Sequence, residues 1–302
     1  MTFTTQIKEE ITKEENNNIE DLTSLCTYLK FNATLEEDKM TVMVVNASVA
    51  RWIFRLLKTN YNVLIKLTTR TMKRFKARNL YILEVKEKLD LIYKDIDNIF
   101  KEISTSSDEE KKAFLKGMFL ACGSINDPKK NQYHLEFLVK EDDDAKLIDD
   151  LLNSLKIKSK VLKRDREYMV YVKSSENISD FIKYLGAFNA LFYFEDIRIY
   201  KDHKNMVNRL NNCEQANVER TLKSSKTILD NIKYLEDNDL LMLLDDRSKE
   251  IIEYKKKYPD TSLGELAEII TMETNKSITK SGINHHFRKI NALVKKAKEN
   301  HE

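Results

Sequence analysis

The sequence is short of cysteine, and its few cysteines are not arranged as a site. Cys26, Cys122 and Cys213 lie far apart and form no CxxC pair. This pattern argues for a reducing compartment and against a disulfide framework or a zinc centre. Apolar runs are also short, since none approaches the ~20 residues that a membrane span needs. The polar, acidic N-terminus is unlike a secretory signal, so we expect a cytoplasmic protein.

Neither sign of charge prevails. The 302 residues include 52 Lys and Arg against 49 Asp and Glu, a net charge of +3, so nucleic-acid binding would require local segregation of charge. The hydrophobic content of 41% and the charged content of 33% are typical of a folded chain, and the length favours two domains over one. No Ser-His-Asp arrangement, Gly-rich phosphate loop or HExxH spacing stands out in the sequence.

Glycine is scarce as well, yet two of the five glycines fall within Ala113–Ser124, which reads AFLKGMFLACGS. Apolar residues recur there at helical spacing, while Gly117, Ala121 and Ser124 place small residues on an adjacent face. Such a face lets the backbone of another helix come close. We therefore predict a helix that packs against a second helix of its own kind, with Gly117, Ala121 and Gly123 as packing residues.

The order of predicted elements around this helix occurs twice. Each half reads as helix, strand, helix, two strands and helix, with a short extra strand expected after the second opening helix. Aligning Phe31–Ala33 on Ala121–Gly123, or Tyr81–Val85 on Tyr168–Val172, gives an offset of about ninety residues in both cases. A true duplication would pair the second opening helix with the first, predicted over Ile19–Leu35, and would build two sheets, a saddle. Chance similarity of αβ segments is the alternative.

The C-terminal part predicts a helix-turn-helix unit. Residues 195–225, rich in Asn, Lys and Arg, predict a helical connector. Beyond it, helices are expected over Arg247–Tyr258, over Ser262–Ile270 and from Ser281 onward, and Glu265 completes a capping box at the start of the second. The third helix carries one apolar stripe, formed by Ile283, Phe287, Ile290 and Val294. Scaffold, positioning and recognition helices in this order are typical of DNA-binding proteins.

Charge is segregated in the third of these helices. Between Lys276 and Lys298 there are seven basic residues and no acidic one, which favours contact with phosphates. His286 is a weaker candidate, because its spacing places it near the core edge. A basic solvated face and a protein-binding helix are the alternatives. The predicted DNA-binding residues are Lys276, Lys280, Ser281, Asn284, His285, Arg288, Lys289 and Lys295.

A second basic segment links two predicted strands, Val63–Leu67 and Leu80–Val85. From Lys66 to Arg78 it holds six basic residues and no acid, so it could project from a sheet onto phosphates. A solvated hairpin tip is an equal alternative. The residues expected on this second DNA surface are Arg70, Lys73, Arg74, Lys76 and Arg78.

Three groups of motifs resemble the bacterial WhiA proteins, and together they cover nearly the whole chain. They are AFLKGMFLACGS with Asn126–Pro128 and Tyr133–Glu136, the connector motifs within Asn208–Asn217, and Ser262–Leu266 with Lys280–Lys289. The resemblance implies an α+β protein, in which a duplicated LAGLIDADG-like αββαββα saddle is joined by a helical connector to an all-α helix-turn-helix domain. It also implies a role in transcription regulation, cell division and chromosome segregation in Gram-positive bacteria and their wall-less relatives.

The resemblance to this family implies where the domains of the chain lie and which partners it binds. The expected parts are an N-terminal helix or extension (1–20), a LAGLIDADG-like domain (21–195, repeats about 21–103 and 109–190), a helical linker (196–239) and a helix-turn-helix DNA-binding domain (240–302, motif about 261–294). The expected partner is double-stranded DNA at promoter or operator sites. A protein partner on the saddle is a further possibility, and the expected location is the bacterial cytoplasm, associated with the nucleoid.

The resemblance also carries a test for catalysis. A homing endonuclease needs an acid near the end of each motif helix, to hold divalent metal ions for phosphodiester hydrolysis. Those places are taken by Asn32, which is neutral and brings no charge to the site, and by Cys122, which is a poor ligand for Mg²⁺. Glu36–Asp38 is more simply a solvated turn. We therefore expect no catalytic residue, metal, cofactor or enzyme activity. The alternatives are a residual metal-dependent endonuclease and a protein-binding scaffold or sensor that uses the saddle.

Overall fold

The computed structural model describes residues 1–14, 17–72, 78–130 and 132–299. The chain divides into two compact units, Met1–Asp202 and His203–Glu302, called here the N-terminal unit and the C-terminal unit. Each has its own buried apolar core. The finer domain limits expected from the sequence stay a prediction. None of the described helices has both the length and the apolar character that a membrane span requires.

The N-terminal unit contains a short helix, α1 (Phe3–Ile11), followed by two copies of one αββαββα motif. The first copy consists of α2 (Asn18–Asn32), β1 (Ala33–Leu35), β2 (Met40–Val44), α3 (Ala47–Tyr61), β3 (Ile65–Met72), β4 (Arg78–Val85) and α4 (Leu89–Glu102). The second consists of α5 (Asp108–Cys122), β5 (Gly123–Ile125), β6 (Leu135–Val139), α6 (Asp142–Ser154), β7 (Lys160–Lys163), β8 (Tyr168–Val172) and α7 (Ser175–Tyr184). The duplication predicted from the sequence is confirmed.

Each copy folds its strands into a four-stranded antiparallel sheet, with the same strand order in both. The orders are β1-β2-β4-β3 and β5-β6-β8-β7. In both copies the opening helix runs directly into a three-residue strand, because Asn32 precedes β1 and Cys122 precedes β5. The prediction that the first helix reaches Leu35 was therefore wrong at its end. Ala33 pairs with Val42 on β2, so residues 33–35 join the sheet.

The two opening helices, α2 and α5, pack against each other at very short range. The Ser24 hydroxyl on α2 donates to the buried Ala113 carbonyl oxygen on α5, 2.9 Å away. A Cβ added at Gly117 would lie 2.4 Å from the Ser24 carbonyl oxygen and 2.8 Å from Thr27 Cβ, which leaves no room for a side chain. The pairing of the two helices predicted from the repeat is confirmed, and glycine at 117 permits it.

Helix α1 belongs to the core of the N-terminal unit. Its apolar side chains, Phe3, Ile7 and Ile11, are buried. Thr4 Oγ1 donates to the Ile125 carbonyl oxygen at 2.9 Å and accepts from the Ile125 amide at 3.0 Å. These two bonds join α1 to β5, beside the end of α5.

Helices α8 to α11 build the C-terminal unit. Helix α8 spans Phe188–Asp237, and its residues from 203 onward belong to this unit. It is followed by α9 (Asp246–Lys257), α10 (Leu263–Thr274) and α11 (Lys280–Glu299). The core is formed by apolar side chains of all four helices, among them Ile232, Leu235, Ile251, Leu266, Ile270, Ile283, Phe287 and Ile290. The predicted capping box is present at the start of α10, and the helix-turn-helix architecture is confirmed.

A buried lysine joins three segments of the C-terminal unit. The side chain of Lys255 on α9 is 0% exposed. Its ammonium donates to Ser225 Oγ at 2.7 Å, to the Pro259 carbonyl oxygen at 2.9 Å and to the Thr261 carbonyl oxygen at 2.8 Å. Burial among these uncharged acceptors lowers the pKa of Lys255 below its ordinary value.

Candidate nucleic-acid interface

Helix α11 has one buried face and one exposed, basic face. It begins at Lys280, where the Gly282 amide donates to Thr279 Oγ1 at 3.1 Å. The predicted apolar stripe is buried in the core of the C-terminal unit through Ile283, Phe287, Ile290 and Val294. Asn284 is half-buried. The other predicted DNA-binding residues are exposed on α11 or in the loop before it: Lys276, Lys280, Ser281, His285, Arg288, Lys289 and Lys295.

The basic side chains of this face differ in whether a carboxylate already neutralises them. Lys289 Nζ lies 3.7 Å from Asp245 Oδ2, just before α9. Lys295 Nζ lies 3.9 Å from Glu299 Oε1. Arg288 makes no ion pair with a residue that the structure describes. The acid-free window of the sequence therefore overstates the free charge of the helix, because acids outside the window supply counter-charge.

The two adjacent histidines of α11 have different environments. His286 Nδ1 lies 2.8 Å from Ser248 Oγ on α9, and Ser248 is buried. Burial lowers the pKa of His286, an effect that Asp245 opposes and Lys289 reinforces, which favours the neutral imidazole. His286 packs on α9 as its spacing predicts, whereas the side chain of His285 is exposed.

The second basic segment is mostly strand rather than a link between strands. Residues Ile65–Met72 form β3, and Arg78 begins β4, so the prediction that the first strand ends at Leu67 and the second begins at Leu80 was wrong. The cause is the pairing of β3 with β4 along its whole length. Arg70 is exposed, whereas Lys66 Nζ lies 3.1 Å from Glu84 Oε2 across the strand pair. Three predicted residues of this surface lie outside the described ranges: Lys73, Arg74 and Lys76.

Neutral side chains occupy the ends of the two opening helices. Asn32 Nδ2 donates to Tyr28 OH within α2, and Cys122 Sγ donates to the Met118 carbonyl oxygen at 3.4 Å within α5. Burial raises the pKa of Cys122 to about 12, so this residue is a thiol at neutral pH. A neutral amide brings no charge and a thiol is a soft ligand, so this pair does not fit a Mg²⁺ or Mn²⁺ site, in which carboxylates supply the charge.

A lysine lies close to the end of α5 and adds positive charge there. Lys8 Nζ on α1 donates to the Leu120 carbonyl oxygen at 3.0 Å and lies 5.4 Å from the ring centre of Phe119. Burial lowers the pKa of Lys8 to about 8, so the side chain is still mostly charged at pH 7. Within the described ranges, no three His, Cys, Asp or Glu side chains are grouped as a metal site. The side chains at this end of α5 therefore do not fit two-metal hydrolysis.

The small residues predicted for helix packing have separate surroundings. Gly117 lies at the crossing of α2 and α5, and Ala121 is half-buried further along α5. Gly123 is buried just after α5, where an added Cβ would lie 2.4 Å from the Phe119 ring. Two of these positions therefore exclude larger side chains, for two different steric reasons.

Sequence reasoning missed a polar cluster on the second sheet. Glu136 on β6 accepts from Ser124 Oγ at 3.0 Å, and its second carboxylate oxygen lies 3.2 Å from His134 Nε2. The carboxylate stands between the serine and the histidine, whereas a nucleophilic serine needs the histidine next to it. The cluster is therefore not a catalytic triad. It could not be found from spacing alone, because Ser124 meets Glu136 only through the pairing of β5 with β6.

The chain matches known domain families along most of its length. The matches are "WhiA N-terminal LAGLIDADG-like domain" at residues 19–99, "WhiA LAGLIDADG-like domain" at 111–204 and "WhiA C-terminal HTH domain" at 207–294. Its relatives include a "Probable cell division protein WhiA" from Oceanobacillus iheyensis, 36% identical over 311 residues, which cover 99% of this chain and 98% of the relative. A second relative with the same description, from Bacillus cytotoxicus, is 37% identical over 311 residues. These cover 98% of this chain and 97% of the relative.

Solved structures show the same fold. Full-length DUF199/WhiA from Thermatoga maritima aligns with a TM-score of 0.59 and 21% identity, over 98% of this chain and 99% of that one. An N-terminal LAGLIDADG domain of DUF199/WhiA aligns with a TM-score of 0.52 and 19% identity, over 61% of this chain and 90% of that one. With two LAGLIDADG-like repeats, a helix-turn-helix unit and relatives that match from end to end, this chain belongs to the WhiA family.

Proposed function

We propose that this protein is a non-enzymatic, sequence-specific DNA-binding protein that regulates transcription in cell division and chromosome segregation. The observation that carries the proposal is the exposed basic face of α11, opposite a buried apolar stripe in a helix-turn-helix unit. A face of this kind neutralises phosphates and releases their counterions, which supplies affinity for DNA. The name that its relatives carry, probable cell division protein, supports the cellular role.

The proposed contacts divide into two kinds. Residues near the beginning of α11, with Ser281, His285 and Arg288 on the exposed face, would read base edges in the major groove. Asn284 is half-buried and would read a base from the edge of that face. The exposed lysines would contact phosphates: Lys276, Lys280, Lys289 and Lys295. Promoter or operator sites are the proposed targets, and nucleoid association in the cytoplasm would follow from such binding.

The N-terminal unit is proposed to provide a second surface, for DNA or for a protein partner. Arg70 is exposed on β3 and would lie on that surface together with the predicted residues Lys73, Arg74, Lys76 and Arg78. The ion pair of Lys66 with Glu84 removes one cation from it. The surface is therefore less basic than the segment's composition suggests, and α11 is proposed to supply most of the affinity.

Replacing Arg288 with alanine is expected to weaken DNA binding about tenfold. Arg288 is exposed and pairs with no carboxylate in the described part of the chain, so its charge is free to displace one counterion. The slope of log affinity against log salt concentration should fall by about 0.9. Fluorescence anisotropy with labelled genomic duplexes, repeated at several salt concentrations, measures both quantities.

Arg209→Ala is the matched control for this measurement, because it removes the same charge from an exposed position on α8. We expect its affinity and salt slope to equal those of the wild-type protein. If Arg288→Ala also matched the wild type, Arg288 would not be a contact. If the wild-type protein bound none of the duplexes, the proposed function itself would be wrong.

Plasmid incubated with the protein and Mg²⁺ or Mn²⁺ is expected to stay intact. The reason is the pair of neutral residues, Asn32 and Cys122, at the helix ends, with the Lys8 ammonium beside α5. Gel electrophoresis over a time course measures cleavage, and plasmid with metal but without protein is the control. Cleavage that co-elutes with the protein in gel filtration would contradict the non-enzymatic part of the proposal.

A further inference from the structure

A cleft in the C-terminal unit lies between α8, the beginning of α10 and the first residue of α11. Its volume is about 190 Å³. Two cations line it, Arg220 from α8 and Lys280 from α11, together with several hydroxyl side chains that include Ser224, Ser225 and Ser262. Within the described part of the chain, no acidic residue lines it. This separation of charge is notable in a chain with 52 basic and 49 acidic residues.

Both cations of the cleft are free to bind an anion. Arg220 and Lys280 are exposed, and neither makes an ion pair within the described ranges. Asp260 and Glu265 adjoin the lining residues Thr261 and Ser262 in the sequence, but both act on the buried lysine of α9, and Glu265 also accepts from the Ser262 amide at 2.7 Å. Two like charges that share one small cleft repel each other, so a bound anion would stabilise the arrangement.

A buried hydroxyl group in the cleft also favours the binding of an anion. Ser225 is 6% exposed and lines the cleft. Its oxygen accepts from Lys255 Nζ at 2.7 Å, and its own hydrogen is donated to no atom that the structure describes. The hydroxyl is therefore an unused donor, and the ammonium beside it strengthens that donor by polarisation.

The backbone of α10 supplies further donors at the rim of the cleft. Leu263 and Gly264 open this helix, so their amides have no acceptor within it. The capping box engages the amides of Ser262 and Glu265 instead. A Cβ added at Gly264 would meet only Ser262 Oγ at 3.8 Å, so an anion can approach the backbone closely here.

We infer that this cleft binds a phosphate of the DNA backbone, which makes α8 part of the DNA interface. Arginine, lysine, hydroxyl and amide donors match the acceptor oxygens of a phosphodiester. A DNA phosphate is favoured over a free one because Lys280 belongs both to the cleft and to the basic face of α11, so one duplex can contact both. The inference rests on the proposed DNA binding and adds Arg220 and Ser225 to the contacts.

The test is the salt dependence of duplex binding by full-length variants. Arg220→Ala should weaken binding about tenfold and lower the salt slope by about 0.9, whereas Arg209→Ala, on the same helix outside the cleft, should change neither. Ser225→Ala removes a neutral donor, so it should weaken binding several-fold without changing the slope. Hydrogen exchange of peptides from α9 to α11 checks that each variant is folded. If the Ser225→Ala variant is less protected from hydrogen exchange than the wild type, Ser224→Ala replaces it, because the Ser224 hydroxyl is exposed and also lines the cleft. This variant too should bind the duplex several-fold more weakly with an unchanged salt slope.

Two results would overturn the inference. In the first, Arg220→Ala and Arg209→Ala bind the duplex equally well. In the second, Arg220→Ala binds DNA like the wild type but is no longer stabilised by millimolar inorganic phosphate, which would show that the cleft takes a free anion. Failure of the proposed function gives a different pattern, because the wild-type protein would then bind no duplex at all.

Discussion

Replacing Gly117 with alanine is expected to destabilise the N-terminal unit by about 3 kcal/mol or more. The added Cβ would lie 2.4 Å from the Ser24 carbonyl oxygen, which is backbone and cannot rotate away. Helices α2 and α5 would have to move apart, and the buried bond from the Ser24 hydroxyl to the Ala113 carbonyl oxygen would lengthen. Urea unfolding followed by Trp52 fluorescence measures the loss, because Trp52 is the only tryptophan and is 2% exposed in this core.

Gly264→Ala is the matched control, since it adds the same methyl group to another helix. There the Cβ would meet only Ser262 Oγ at 3.8 Å. We expect no loss of stability, and a gain of up to about 1 kcal/mol, because alanine favours the helix more than glycine does. Hydrogen exchange of α10 peptides measures this. A Gly117→Ala variant as stable as the wild type would mean that the two helices do not approach as closely as described.

The crossing of α2 and α5 could be predicted because it rests on local and repeated signals. Glycine is rare in this chain, so a glycine such as Gly117 within a helical stretch indicates a close approach. The repeat of the element order then identified the partner helix. The three helices of the helix-turn-helix, α9 to α11, could be predicted for a similar reason, because caps and apolar stripes act within a few residues.

Contacts between distant residues could not be predicted in this way. The pairing of Lys289 with Asp245 joins the exposed face of α11 to the residue before α9, and no spacing in the sequence indicates it. The polar cluster of Ser124 and Glu136 exists only because of the register between β5 and β6. Arg220 is one of several basic residues in the predicted connector, and its place in one cleft with Lys280 follows only from the packing of α8 in the core. The periodicity of apolar residues predicts on which face of a helix or strand a residue lies, but it does not predict which distant residue that face contacts.

Replacing Lys255 with methionine is expected to destabilise the C-terminal unit by about 2–4 kcal/mol. Methionine has a similar length, but it donates no hydrogen bond. The Pro259 and Thr261 carbonyl oxygens and Ser225 Oγ would each lose a donor at a site that is 0% exposed. The variant no longer buries a charge, which is favourable. This gain offsets only part of the cost, because two of the acceptors are backbone carbonyl groups that cannot reorient to bond with water. Hydrogen exchange of α9 to α11 peptides in the full-length protein measures the change.

Lys256→Met, one residue further on, is the control. Lys256 is partly exposed and pairs with Glu236 at 2.7 Å, and a surface ion pair of this kind adds little stability. Its loss should leave the exchange of these peptides nearly unchanged. Equal effects of the two substitutions would mean that Lys255 makes no special contribution to the unit.

The pH dependence separates the lost hydrogen bonds from the buried charge. Burial lowers the pKa of Lys255 in the folded protein below its ordinary value of 10.5. Between these two pKa values the unfolded chain binds the proton and the folded chain does not, so the wild-type unit gains stability as the pH rises through this window. Lys255→Met lacks this gain, and the stability gap between the two proteins should therefore widen toward pH 10.5. If the difference in stability between the two proteins stayed constant over this range, the pKa of Lys255 would be the same in the folded and unfolded chains. The three hydrogen-bond acceptors would then fully replace the water that the ammonium loses on burial.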